Sequence, residues 1–143
     1  MLDNKIYYNL NYMQKSKIII FKGFWSKNDV EKHPDCLFVY GDNDAGIGKG
    51  GQAIIRDLSN TIGIPTKKYP SNHASSFYSD TEYDKNIAKI DYAIEKIIIL
   101  SKKYKYVILP EDGFGTGLAD LPKKAPKTFD YLVKAVDSLK TKI

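Results

Sequence analysis

Apolar runs and amphipathic stretches alternate along this chain of 143 residues. "KIIIF" (17–21) and "CLFVY" (36–40) are short, nearly continuous and rich in β-branched or aromatic residues, which predicts buried strands. "YKYVILP" (104–110) predicts another strand, closed by Pro110. Between the first two, "WSKNDVEKHPD" is polar and predicts a connection with one helical turn. From Gly51, apolar positions Ala53, Ile54, Ile55, Leu58 and Ile62 predict an amphipathic helix closing near Gly63, followed by a short extended piece, "IGIPTK". "YPSNHASSFYSD" predicts a loop. Ser79 or Asp80 then caps a helix running to about Lys103, with Ile87, Ile90, Ile94, Ile97 and Ile98 at helical spacing. A last helix is expected over about 126–140, with Phe129, Leu132, Val133, Val136 and Leu139 inward. The first fifteen residues read as a strand or a packed arm.

Strand-then-helix alternation predicts an α/β domain around a mostly parallel sheet, and the length suits a single domain over 1–143. Ligands of such sheets sit beyond the carboxyl ends of the strands. Two glycine-bearing loops leave strands at that end. The first, "GDNDAGIGKGGQ", carries five glycines from Gly41 to Gly51. The second is Gly113-Phe114-Gly115-Thr116-Gly117. Glycine permits positive φ and removes Cβ, so peptide N–H groups can meet an anion. The expected helix after Gly50 would add its own unpaired amides. Thr116 offers a hydroxyl, and Phe114 a ring to cover a sugar or base. Two such loops bordering one crevice suit a diphosphate. Tight turns and close helix–strand contacts are the plainer alternative. The first loop lacks the Gly-Lys-Ser/Thr ending of a nucleotide-triphosphate loop and the spacing of the dinucleotide fingerprint.

Composition narrows the partners. The chain is 43% hydrophobic and 27% charged, as soluble globular proteins are. Its longest apolar run, "IEKIIIL", is broken by charge, so no membrane segment is expected. The net charge of +5 raises nucleic acid, but the positive charge is almost all lysine, and Arg56 is the lone arginine. Base readers lean on arginine, which argues against that partner. A single cysteine, Cys36, excludes an internal disulfide, and no signal peptide is evident, so a cytoplasmic setting is expected. His33 and His73 lack ligands at metal spacing, so no metal is expected. No cofactor is called for.

Taken together, "FVYGDN", "GGQAIIR", "GIPTK" and "YVILPEDGFGTGLADLPKKAP" resemble the macro domains, including an uncharacterised phage and bacterial macro-like group. The resemblance covers the chain from about Leu37 onward. It implies a three-layer α/β/α fold that binds ADP-ribose, and in some members hydrolysis of an ADP-ribosyl linkage. By motif position, Asn43 stands where the family contacts the distal ribose, with Asp42 a candidate acid for holding water. Gly48, Gly50 and Gly51, with Gln52, form the first phosphate loop; Gly113 to Thr116, then Gly117 and Leu118, form the second. Two features depart from the pattern. No acid follows Gly23 to accept from adenine, leaving Phe24 or Trp25 to stack on a base, and Gln52 occupies the water-holding Asp position, where it cannot act as a base. Asp44 and Asp112 are further acids. The resemblance also leaves a non-enzymatic role, a sponge or reader of a signalling nucleotide such as a cyclic ADP-ribose in phage defence.

Overall fold

A computed structural model describes residues 16–143. The expected arm or strand over residues 1–15 lies outside the described residues. Four strands, β1 (Ile18–Phe21), β2 (Cys36–Asp42), β3 (Thr61–Pro65) and β4 (Tyr106–Pro110), form one sheet in the order β1-β4-β2-β3. Every pairing is parallel, with Ile18 opposite Val107, Cys36 opposite Tyr106 and Phe38 opposite Thr61. The helices are α1 (Lys27–Glu31), α2 (Tyr83–Ser101), α3 (Leu121–Lys124) and α4 (Pro126–Lys142).

Both sheet faces are covered, which is why the strands read as continuous apolar runs. Successive side chains point to opposite faces. Leu37, Val39, Val107 and Leu109 pack with Ile90, Ile94 and Ile97 of α2 and Leu132 and Leu139 of α4. Cys36, Phe38, Tyr40 and Ile108 pack on the other face with Trp25, Val30 of α1, and Ala53 and Ile55. Each fully buried isoleucine contributes about 1.5–3 kcal/mol of transfer free energy. No helix among the described residues is long and apolar enough to cross a membrane.

The stretch after the first glycine loop corrects the sequence reading. In place of an amphipathic helix reaching Gly63 there is a five-residue 3₁₀ turn, Gly51–Ile55, and Ile62 lies in β3. Long-range pairing wins over local periodicity here. Asn60, buried, donates its Nδ2 to the carbonyls of Val30, His33 and Cys36 at 3.2, 3.0 and 3.0 Å, and its own carbonyl accepts from Phe38 N. That fixes the chain at the start of β3, whose residues then pair with β2. The cap of α2 also differs. Ser79 caps a short 3₁₀ turn, Asp80–Glu82, and α2 begins only at Tyr83. Asp80 instead accepts from Lys127 N (2.9 Å), Thr128 N (3.0 Å) and Thr128 Oγ1 (2.8 Å), so it caps α4 from across the fold.

Candidate functional site

In the strand order β1-β4-β2-β3, β4 stands between β1 and β2. The chain leaves β1 and β2 toward the α1 face, and leaves β4 toward the α4 face. Adjacent strands whose connections depart to opposite faces open a crevice at their carboxyl ends. A cavity of about 240 Å³ lies there. Gly23 and Phe24 after β1, Gly41 at the end of β2, Gly50, Gly51 and Gln52 beyond it, Thr66 after β3, and Glu111, Asp112 and residues 115–118 after β4 line it. The two glycine loops therefore face each other; a Cβ on Gly50 would stand 3.5 Å from Leu118 Cδ1.

The local chemistry of the loops follows from backbone geometry. Gly51 and Gly115 have φ of +57° and +80°, in the left-handed region that favours glycine. Among the described residues, no acceptor stands opposite the amide N–H groups of Gly50, Thr116, Gly117 or Leu118. Thr116 Oγ1 donates to Asp112 O at 3.1 Å and closes its own loop. The turn after Gly50 is too short to act as a helix N-terminus, so the expected helix-end contribution to an anion site falls away.

Gln52 is a strut. Its Oε1 accepts from Gly41 N at 2.7 Å and its Nε2 donates to Gly113 O at 2.8 Å, tying the end of β2 to the second loop. Its own carbonyl accepts from Trp25 Nε1 at 3.0 Å. The Trp25 ring is buried edge-on against Phe21 and Phe38, so of the two stacking candidates Phe24 is the free one, 87% exposed at the rim. Glu111 Oε1 accepts from Gly23 N at 3.1 Å. The Asp112 carboxylate has no partner among the described residues.

Five residues read as ligand contacts or catalysts lie elsewhere. Phe114 is 4% exposed and packs into the core of the α2–α4 face, so its ring cannot cover a sugar: the apolar interior holds it. Gly48 sits against Pro70, away from the crevice. Asp42 pairs with Arg56 Nη2 at 2.6 Å, accepts from Asn43 N, and lines a separate hollow beside α2. Arg56 in turn donates to the carbonyls of Gly48 and Ile47, so the pair fastens the first loop. Burial lowers the Arg56 pKa, but the hydrogen bond and charge of Asp42 outweigh it and leave the net shift upward. Asn43 donates to Ile47 O at 2.8 Å and lines the same separate hollow as Asp42. Gly113 contributes its carbonyl to Gln52 and does not line the crevice.

Lys67 follows the short extended segment "GIPT" and reads from the sequence as a candidate charge beside an anionic ligand. It is 6% exposed, with Nζ donating to Ser71 O at 2.8 Å and Leu118 O at 3.5 Å, and 4.4 Å from the centre of the Phe77 ring. Cys36 is buried in the sheet, and burial first, then the neighbouring Asp35, pushes its thiol up to about 12. That is a core thiol, not a nucleophile. No group of three or more His, Cys, Asp or Glu among the described residues could hold a metal ion.

Residues 20–135 match a family described as a family of unknown function, DUF7831. No curated protein and no solved structure matches the chain.

Proposed function

The chain belongs to the DUF7831 family, whose function is unknown, and from its own crevice we propose that it binds a diphosphate-bearing nucleotide of the ADP-ribose kind. One observation carries the reading: two glycine loops from neighbouring strands line the same cavity, with amide N–H groups on both sides that meet no acceptor among the described residues. Backbone amides in such a concavity suit phosphate oxygens and need no metal to do so. Phe24, exposed at the β1 side, gives a base a flat face to stack on. The parallel sheet with helices on both faces is compatible with a macro-domain-like fold, which this reading adopts.

Holding is favoured over turnover. Asp42 and Asn43, the candidate catalytic pair, have side chains committed to Arg56 and to Ile47. Asp112 is the acid on the crevice wall left to position water if hydrolysis occurs. Calorimetric titration with ADP-ribose tests the binding, and a saturable signal is expected. No heat and no thermal shift with ADP-ribose or ADP would overturn it. Incubation with an ADP-ribosylated substrate separates the modes: intact ligand recovered after denaturation means a reader, released products an enzyme.

A further inference from the structure

Among the described residues, Lys67 is the one lysine whose side chain is buried. It stands next in the chain to Thr66, which lines the crevice, and its Nζ lies 3.5 Å from the carbonyl of Leu118 in the second glycine loop. Its surroundings are two carbonyls, from Ser71 and Leu118, and the Phe77 ring, which also carries Lys124 Nζ at 4.7 Å from its centre. No carboxylate pairs with it among the described residues, whereas Lys49, Lys68 and Lys89 each hold one. Buried charges in proteins are ordinarily paired, because desolvation costs several kcal/mol per ion. Burial alone pushes the pKa of this ammonium down, with no acid to raise it again. A second lysine at the same ring adds to the uncompensated positive charge. The carbonyl oxygens of Ser71 and Leu118 stabilise it only in part.

The missing counter-charge has a natural place. Leu118 lines the crevice through which, on the reading above, a diphosphate enters. We propose that Lys67 is a positioning residue for the phosphate end of that ligand: it anchors the second glycine loop through Leu118 O, and the bound anion completes its charge. This rests on the binding reading and adds to it a specific source of preference for the charged over the uncharged nucleotide. Lys67 acts through the loop and through the field of its own charge, which solvent screens less at a buried side chain than in bulk water. It touches no ligand atom itself.

Titration of wild type and Lys67→Met with ADP and with adenosine tests it. Wild type should bind ADP more tightly than adenosine; equal affinities, or none, would overturn the phosphate crevice and this inference with it. Given that preference, Lys67→Met should weaken ADP by about tenfold or more and leave adenosine within about twofold. Lys67→Arg should recover part of the ADP loss. A parallel fall for both probes means that Lys67 only supports the fold, and unchanged ADP affinity means that its charge is not used; either overturns the inference. A second measurement keeps the charge. In wild-type protein with isotope-labelled lysine, the Lys67 signal, assigned by its loss in Lys67→Arg, should titrate at higher pH with ADP bound than with adenosine bound. Identical titrations overturn the inference even if Lys67→Met fails to fold.

Discussion

Replacing Gly117 by aspartate places one negative charge where the second loop offers its unbonded amides. The site permits it: a Cβ at Gly117 meets nothing within 4 Å, and its φ lies outside the left-handed region. Gly115 is the instructive contrast. Its φ is +80°, and a Cβ there would stand 2.9 Å from Leu121 Cδ2, so any side chain strains the backbone by about 1–2 kcal/mol before it touches a ligand. Loss of binding in a Gly115 variant would mix misfolding with repulsion; in Gly117→Asp it isolates repulsion. Two unit charges about 4 Å apart at an effective dielectric of about 20 interact by roughly 4 kcal/mol, and solvent reaching an open crevice reduces this toward about 2. Weakening of ADP-ribose by roughly 30-fold to 1,000-fold is therefore expected. Gly117→Asn, nearly identical in volume and uncharged, supplies the reference and should lose about threefold or less. Calorimetry gives the affinities and thermal unfolding confirms that both variants keep wild-type stability. Equal affinities for the Asp and Asn variants, with unchanged unfolding, would show that no phosphate lies against this loop.

Other expectations concern the scaffold. Asp80 caps α4, and although burial opposes ionisation, the hydrogen bonds from Lys127 N, Thr128 N and Thr128 Oγ1 hold its carboxyl below the usual Asp value. A depressed folded-state pKa contributes stability present above the unfolded value and lost as pH falls through the folded one. Chemical unfolding of wild type should therefore show an acid-side loss, below the ordinary Asp pKa, that is smaller in Asp80→Asn; identical pH profiles would refute the cap. At neutral pH, Asp80→Ala should cost about 0.5–2 kcal/mol, the usual worth of an N-cap. Asn60→Ala strips one amide from three carbonyls and should destabilise by roughly 1–3 kcal/mol in urea unfolding, with ADP-ribose affinity nearly unchanged once folded. A loss under about half a kcal/mol would mean that water replaces the amide at little cost.

Much of the architecture was legible because its cause is local. Continuous apolar runs mark β1, β2 and β4, and the isoleucines of α2 recur at a spacing that only a helix face satisfies. The alternation of the two implies a parallel sheet, and a parallel sheet implies where a crevice opens, so the meeting of two glycine loops at the strand ends followed from chain order. The sequence by itself thus determined the class of fold and the backbone freedom at the site.

Tertiary structure alone decided what the polar side chains there do. Gln52 reaches Gly113, 61 residues away, Asp80 reaches Thr128 across 48, and Lys67 reaches Leu118 across 51. Asp42 finds Arg56, and the Phe114 ring turns inward rather than toward a ligand. None of these leaves a periodic trace, since a hydrogen bond or an ion pair depends on where a distant segment arrives and not on spacing along the chain. The same holds for the 3₁₀ turn at Gly51–Ile55: local propensity favoured a longer helix, and pairing of Thr61–Pro65 with β2, pinned by Asn60, took the residues that the helix would have used.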